Sequence, residues 1–349
     1  MLLSNADIIS ELLQQHKILG KVNDDLVNQQ FFADSQCPYI EYAPWMVEYH
    51  TAYLNYNSCK AENFSIVFFE GKKQCALLNF SIFESSQGDI SILSNASGLL
   101  PPYLHPSLTR KQKRKYLQKA FDLYISMAKR FNVKQLRFQT IFVSGESEGW
   151  LSILQKYGVP KFSQELFCDL TIDQTLYLQL IREKYKKHIR DGNRLWQAEI
   201  LTAVTEQQFT EIKQLHLDVV GFQTRSDLTW QLLRDAINNH DAFAVTVYDS
   251  GRLIGAAILS FTKDIAVYSM GVYDRSLFDK PVSHIVHAKA IEHMKSLGLK
   301  EYHLGARCNA NEWMQPSIKE SQIGYFKEGF MTHSKFKVTF DFLIAELDQ

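Results

Sequence analysis

Three sets of side chains in this sequence have the type and spacing to do chemistry. The first is basic. Arg182-Glu-Lys-Tyr-Lys-Lys-His-Ile-Arg190, with Arg194 just beyond, crowds cations into one stretch. On a helix, spacings of four set Arg182, Lys186 and Arg190 on one face, where mutual repulsion asks for an anion or for solvent. The phosphates of a ligand would answer that need; the bland reading is a solvated face. The second set is phenolic. Tyr268 ends a strand-like run and Tyr273 lies in the loop after it. Each can donate a proton to a leaving group, or pack with its hydroxyl satisfied. The third is imidazole. His284 and His287 are three apart after Pro281, with His284 in a first helical turn and His287 on the apolar face as a core histidine. No carboxylate stands at ligand spacing, so no metal is expected. Nucleophile and nucleotide motifs (Ser/His/Asp, Gly-x-Ser-x-Gly, the phosphate loop, the dinucleotide fingerprint) are missing. Cys308, in Arg307-Cys-Asn, follows a strand end and reads as structural. No tightly bound cofactor is implied.

The elements that must position these groups are legible from Phe243 onward. Phe243–Tyr248, Leu253–Leu259 and Asp264–Tyr268 read as strands, the first two joined by a turn at Asp249-Ser-Gly-Arg252. A loop over Val272–Lys280 leads to a helix from Pro281 to Leu297, stopped by Gly298, and Lys300–Leu304 is a further strand. Residues 64–140 repeat the order: strands at Phe64–Phe69, Cys75–Ile82 and Ile90–Leu93, a loop over Gly98–Pro106, a helix capped by Ser107 or Thr109 and running to Phe131, and a strand at Gln135–Thr140. The helix carries an apolar row of Leu117, Phe121, Tyr124, Ile125 and Ala128 at helical spacing. Between the two stretches lie a strand at Glu165–Leu170, a mostly helical run from Asp173 to Trp196, and a capping box at Thr205-Glu-Gln-Gln208. The repeated order predicts an internal duplication of one α/β unit, with domains at 1–160 and 161–349.

Composition sets the limits. At 349 residues, 46% hydrophobic and with a formal net charge of +0, the chain has material for two cores and no global field that attracts DNA or an anionic membrane. Its five cysteines form no CxxC pair, which favours a reducing compartment over a disulfide framework. The N-terminus has no basic region ahead of a long apolar run, and no stretch reads as a membrane span. A cytoplasmic location is expected.

In order along the chain, Arg182–Arg190, Leu253-Ile-Gly-Ala256, Tyr268, Pro281-Val-Ser-His284, Leu297-Gly298, Tyr302-His-Leu-Gly305 and Ile323-Gly-Tyr-Phe-Lys-Glu-Gly-Phe330 resemble the FemAB/FemX family of tandem GNAT-like transferases. The resemblance implies an α/β (α+β) fold of two GNAT-like domains, each a mixed, mostly antiparallel sheet flanked by helices. It implies an enzyme that transfers an acyl or aminoacyl group to the amine of a cell-wall precursor or nucleotide-activated amino sugar. It maps the family's Phe-Lys pair onto Phe326 and Lys327, with Lys327 stabilising the oxyanion of the tetrahedral intermediate. Lys327, Phe326 and Tyr268 are then the catalytic candidates, and Arg182, Lys186, Arg190, Tyr273 and His284 the substrate-binding ones. The donor is aminoacyl-tRNA, with tRNA as a partner, or acyl-CoA. Two departures bear on that choice: there is no room for the helical hairpin of the aminoacyl-tRNA users, and the loop Arg275-Ser-Leu-Phe-Asp-Lys280 lacks the glycines of a CoA pyrophosphate cradle. The rival enzyme is an acyl-CoA-dependent GNAT N-acetyltransferase acting on another small amine. The rival from another class is a GNAT pair without catalysis, used for binding.

Overall fold

Runs of apolar residues at period two and at helical period sort the chain into two units. In the computed structural model, which describes residues 4–56, 60–94 and 98–347, one unit is Met1–Phe162 with Phe336–Gln349 and the other is Ser163–Lys335. Cys59 lies outside the described residues. Among the described residues no helix is long and apolar enough to cross a membrane, and Cys37, Cys75, Cys168 and Cys308 are free thiols.

The first unit runs α1 (Asn5–Gln15), β1 (Leu19–Val22), α2 (Asp25–Ser35), α3 (Pro44–Tyr56), β2 (Lys60–Glu70), β3 (Lys73–Glu84), β4 (Ile90–Leu93), β5 (Tyr103–Leu104), α4 (Arg110–Arg130), β6 (Gln135–Ile141) and α5 (Glu148–Leu154). β1 to β4 pair antiparallel in chain order, and β5 adds to β3. Just past β4, Leu99 makes a parallel bridge to Phe138 of β6. Thr109 is the cap of α4: its hydroxyl accepts from the Gln112 N–H, and Gln112 returns the bond. The helix buries Leu117, Phe121, Tyr124 and Ala128 in the first core, with Ile125 at its margin. One cation of its first turns, Lys115, is answered by Glu70 at 2.8 Å.

The second unit runs β7 (Lys161–Asp169), α6 (Gln174–Leu180), α7 (Glu183–Leu195), β8 (Ala198–Leu201), α8 (Glu206–Val220), α9 (Asp227–Asn238), β9 (Ala242–Asp249), β10 (Arg252–Phe261), β11 (Ile265–Tyr273), α10 (Val282–Ser296), β12 (Glu301–Ala306) and α11 (Ile318–Glu328). β8 to β11 pair antiparallel in order; β11 then pairs parallel with β12, and β12 antiparallel with β7. The four antiparallel strands match those of the first unit, where the single bridge from Leu99 to Phe138 stands in place of the parallel ladder.

The last position of each ladder is filled from the other half of the chain. β13 (His333–Leu343) pairs antiparallel with β6, from Lys337 opposite Ile141 to Leu343 opposite Gln135. β7, which follows β6 and α5 in sequence, pairs instead with β12. The expected division at 160/161 therefore needs one change: residues 336–349 complete the first unit. Val338, Phe340, Phe342 and Ile344 lie in its core beside Phe138 and Trp150.

Three local expectations also change. The helical run 173–196 is broken, because Ile181 and Arg182 are extended and Arg182 becomes the N-cap of α7. The loop over 98–106 contains β5, which the prolines around it permit because it is a two-residue edge. β11 continues to Tyr273, since β10 supplies partners as far as Gly255, so Val272 and Tyr273 are strand and not loop.

Deleting residues 333–349 strips β6 of its partner and removes four buried apolar side chains, each worth about 1.5–3 kcal/mol. That loss rivals the whole stability of a domain, roughly 5–15 kcal/mol. The truncated chain should lose the first unit's cooperative transition in calorimetry, and a peptide of residues 333–349 added in trans should restore it.

Candidate active site

The site is built where two strands part. β11 and β12 pair only from Ile265–Val267 to Glu301–His303. Beyond that, β12 bulges between His303 and Gly305 while keeping its ladder with β7. α11 packs over the opening. At Gly324 an added Cβ would lie 1.7 Å from the Arg307 carbonyl oxygen, so only glycine lets the helix come so close to the strand's end. Gly305 has φ +101, and a Cβ there would meet Lys327 Nζ at 3.0 Å. The last turn of α11 thus delivers Lys327 between the strands, with Nζ 5.1 Å from the centre of the Tyr268 ring.

Lys327 lies in a helix's final turn, where the macrodipole favours a cation. Among the described residues its Nζ makes no hydrogen bond and no close ion pair. Burial draws the ammonium below the ordinary lysine range, while the charges of Glu165 and Cys308 act the other way. Glu165, on β7, is only 4% exposed, and its Oε2 lies 2.9 Å from His303 Nε2. Phe167 stacks on His303 with centres 4.6 Å apart.

The phenols sit together. Tyr268 and Tyr273 share a hydrogen bond of 3.0 Å between their hydroxyls. Burial pushes Tyr268 up to about 12 and Tyr273 well above its usual value, so both are protonated donors at neutral pH. The Tyr268 hydroxyl lies over Gly271, where a Cβ would be 1.5 Å away.

Behind Lys327 is an aromatic layer. Phe326 packs against His284, His287 and Phe330 at 5.2, 5.6 and 5.5 Å. His287 is buried as expected, bonded through Nδ1 to the Tyr302 hydroxyl at 3.1 Å and stacked on Tyr268 at 5.0 Å. Burial, then Lys327 and His284, lower it to about 3. His284 meets the Tyr185 ring edge-on at 4.5 Å, its Nδ1 has no partner, and burial likewise lowers it to about 3. His284 is therefore a neutral member of the packing under Phe326.

The basic stretch splits by function. Arg182 reaches Glu328 at 3.1 Å and stacks 3.9 Å from the centre of the Tyr325 ring. Arg307 reaches the same carboxylate at 3.0 Å. Arg182 thus clamps α11, which holds Lys327. Lys186 pairs with Glu183, and Arg190 is exposed.

The structure brings Lys327, Phe326, Tyr268, Tyr273 and His284 into one neighbourhood and leaves Lys186 and Arg190 on the outer face of α7. It adds Glu165 and His303, to which sequence reasoning gave no role. Their signals were faint: a lone acid inside the apolar run Glu165–Leu170, and the polar member of Tyr302-His-Leu-Gly305. The loop before α10 uses its own donors. Asp274, paired with Arg252 at 2.9 Å, accepts from the Ser276 N–H and hydroxyl at 2.9 and 2.7 Å.

Comparison with known proteins bears on the fold. Residues 181–313 match the family model described as an acetyltransferase (GNAT) domain. The structure of FemX matches with a TM-score of 0.66 at 12% identity, covering 92% of this chain and 97% of that one. L-PGS from Bacillus licheniformis matches with 0.55 at 12% identity, covering 92% and 93%. The C-terminal domain of a putative lysylphosphatidylglycerol synthetase from Agrobacterium fabrum matches with 0.57 at 9% identity, covering 91% and 92%. No curated protein matches the sequence. The fold is FemX-like, and the GNAT match lies within the second unit.

The two neutral histidines tie stability to pH. Each has a folded pKa depressed to about 3 against an ordinary value near 6.5. Their contribution is complete above about pH 6.5 and is lost as pH falls from there toward 3. Unfolding free energy should therefore drop below pH 6.5 with a slope of up to about 1.4 kcal/mol per pH unit for each histidine. His284→Phe, which keeps a ring in the stack, should flatten that slope in denaturant titrations run from pH 7 to 4.5.

Proposed function

We propose that this protein is an N-acyltransferase in which an acceptor amine attacks an activated carbonyl directly. The observation that carries the reading is the Lys327 ammonium, held without an ion pair in the gap between β11 and β12. A preorganised, partly desolvated charge stabilises an oxyanion far more than one already neutralised by a carboxylate. In the step proposed, the amine nitrogen bonds to the carbonyl carbon and the oxyanion forms beside Lys327. The bond to the leaving group then breaks with its electron pair, and the Tyr268–Tyr273 pair relays to it the proton that the amine nitrogen gives up. Phe326 holds Lys327 against the aromatic layer.

For the donor, the loop before α10 favours a carrier other than CoA. A pyrophosphate held at a helix N-terminus needs free N–H groups and no nearby anion. Here the loop 275–280 lacks glycine, and Asp274, which accepts from the Ser276 N–H, sets a carboxylate at its start. Aminoacyl-tRNA is the donor we favour, with its phosphates along Lys186, Lys187 and Arg190. The similar structure described as a putative lysylphosphatidylglycerol synthetase fits aminoacyl transfer. The acceptor proposed is a small or nucleotide-linked amine of the cell-wall-precursor or amino-sugar class, acted on in the cytoplasm. Acyl-CoA is the second reading, favoured by the GNAT family match over 181–313; use as a binding module alone is the third.

Two measurements test this. Donors (aminoacyl-tRNA, acetyl-CoA) are assayed against nucleotide-linked amino sugars and precursor peptides. With the active pair, Lys327→Met should lower kcat by about 10²–10³-fold with little change in KM. Methionine keeps the packing that the half-buried stem provides, and Lys327→Arg should rescue only in part. Unchanged kcat in a folded Lys327→Met protein would remove Lys327 from the mechanism. Separately, Lys186→Gln with Arg190→Gln should weaken tRNA binding and shallow its salt dependence; an unchanged salt series would return α7 to an ordinary solvated face.

A further inference from the structure

The first unit has a cavity of its own, of about 270 Å³. It opens beyond the Leu99–Phe138 bridge, between the 100–104 segment and the end of β6. Its wall is aromatic. The rings of Tyr39, Tyr42 and Tyr103 meet one another at tilts of 49° to 71° with centres 5.6 to 6.5 Å apart, and Trp150 lines the cavity with them. The hydroxyls are engaged: Tyr39 donates to Glu146 Oε2 at 2.7 Å, Tyr42 to the Pro101 carbonyl, and Tyr103 to the Ser35 carbonyl at 3.4 Å. The rings therefore present π surface and no free phenol.

The charge around this wall is negative. Glu41 and Glu146 both line the cavity, against the single cation Lys113. Their field reaches the rings: after burial itself, the Glu146 carboxylate helps raise the phenols of Tyr39 and Tyr103, and Glu41 that of Tyr42.

We infer that this cavity binds a small organic cation, a primary or methylated ammonium, on the Tyr39–Tyr42–Tyr103 wall beside Glu146. Ring quadrupoles attract a cation that sheds its water. The carboxylate bound to Tyr39 adds Coulomb attraction and polarises that ring toward the ligand. The volume admits a group the size of a trimethylammonium with a short tail. An apolar ligand would fill the same space but gain nothing from the charge.

That difference is the test. The full chain is titrated calorimetrically with choline and with its neutral carbon isostere, 3,3-dimethylbutan-1-ol. Choline should bind at least about tenfold tighter. Tyr103→Leu should abolish the preference, and Glu146→Gln should reduce it while leaving the isostere's affinity unchanged. Equal affinity for the two would show an apolar pocket only and overturn the proposal. So would choline binding that survives both substitutions, or no binding of choline, tetramethylammonium or ethylammonium at tens of millimolar. Melting curves of the variants separate a lost wall from a lost fold, and Tyr103→Phe, which keeps the ring, should retain binding.

Discussion

Everything at the candidate site depends on one close approach, the backbone of α11 at Gly324 against the Arg307 carbonyl. A side chain of any size there would push the helix off the strand by more than an ångström, since its first atom would stand 1.7 Å from that oxygen. The helix is then held from the other side by one carboxylate, Glu328, shared by Arg182 and Arg307. Arg182 begins α7 and Arg307 follows β12, so one shared acid ties three elements together. The lysine's position follows from that junction and not from an ion pair of its own.

An ammonium without a counterion in a half-dry place is costly, and the fold offsets the cost in three ways. The helix terminus supplies partial negative charge. The Tyr268 ring presents its face to the cation. Glu165 lies near enough to be felt, yet is bonded to His303. An acid placed directly on Lys327 would stabilise the ground state and blunt any response to new negative charge. The two neutral histidines behind it follow the same logic, because a second cation beside Lys327 would be repelled.

Much of this was legible in the sequence because it depends on period and punctuation. Gly298, Pro281, the Thr205 box and alternating runs such as Phe243–Tyr248 set elements that the structure reproduces. Phe326 and Lys327 were found through resemblance; their spacing alone would not single them out. What sequence could not show was pairing across distance. Nothing in Lys161–Asp169 or His333–Leu343 says which ladder each will join, because both are strands with suitable apolar faces. Nor does a lone Glu165 in an apolar run reveal that His303, far along the chain, will meet it. Arg182 is the clearest case: at its spacing it belongs with Lys186 and Arg190, but the break at Ile181 turns it inward to Glu328.

The crossed strands set a schedule on synthesis. Residues up to Phe162 leave the ribosome with β6 lacking a neighbour on one side, and the segment that supplies it begins at Phe336. At roughly 5–20 residues per second, the first half waits on the order of ten seconds or more with an open sheet edge and an uncovered apolar face. An exposed edge of that kind pairs with whatever strand arrives first, and β7, emerging at once, is the nearest candidate. The chain must keep β7 from settling there, or release it when β12 appears. A nascent-chain binder that covers β6 would guard that edge until Phe336 emerges.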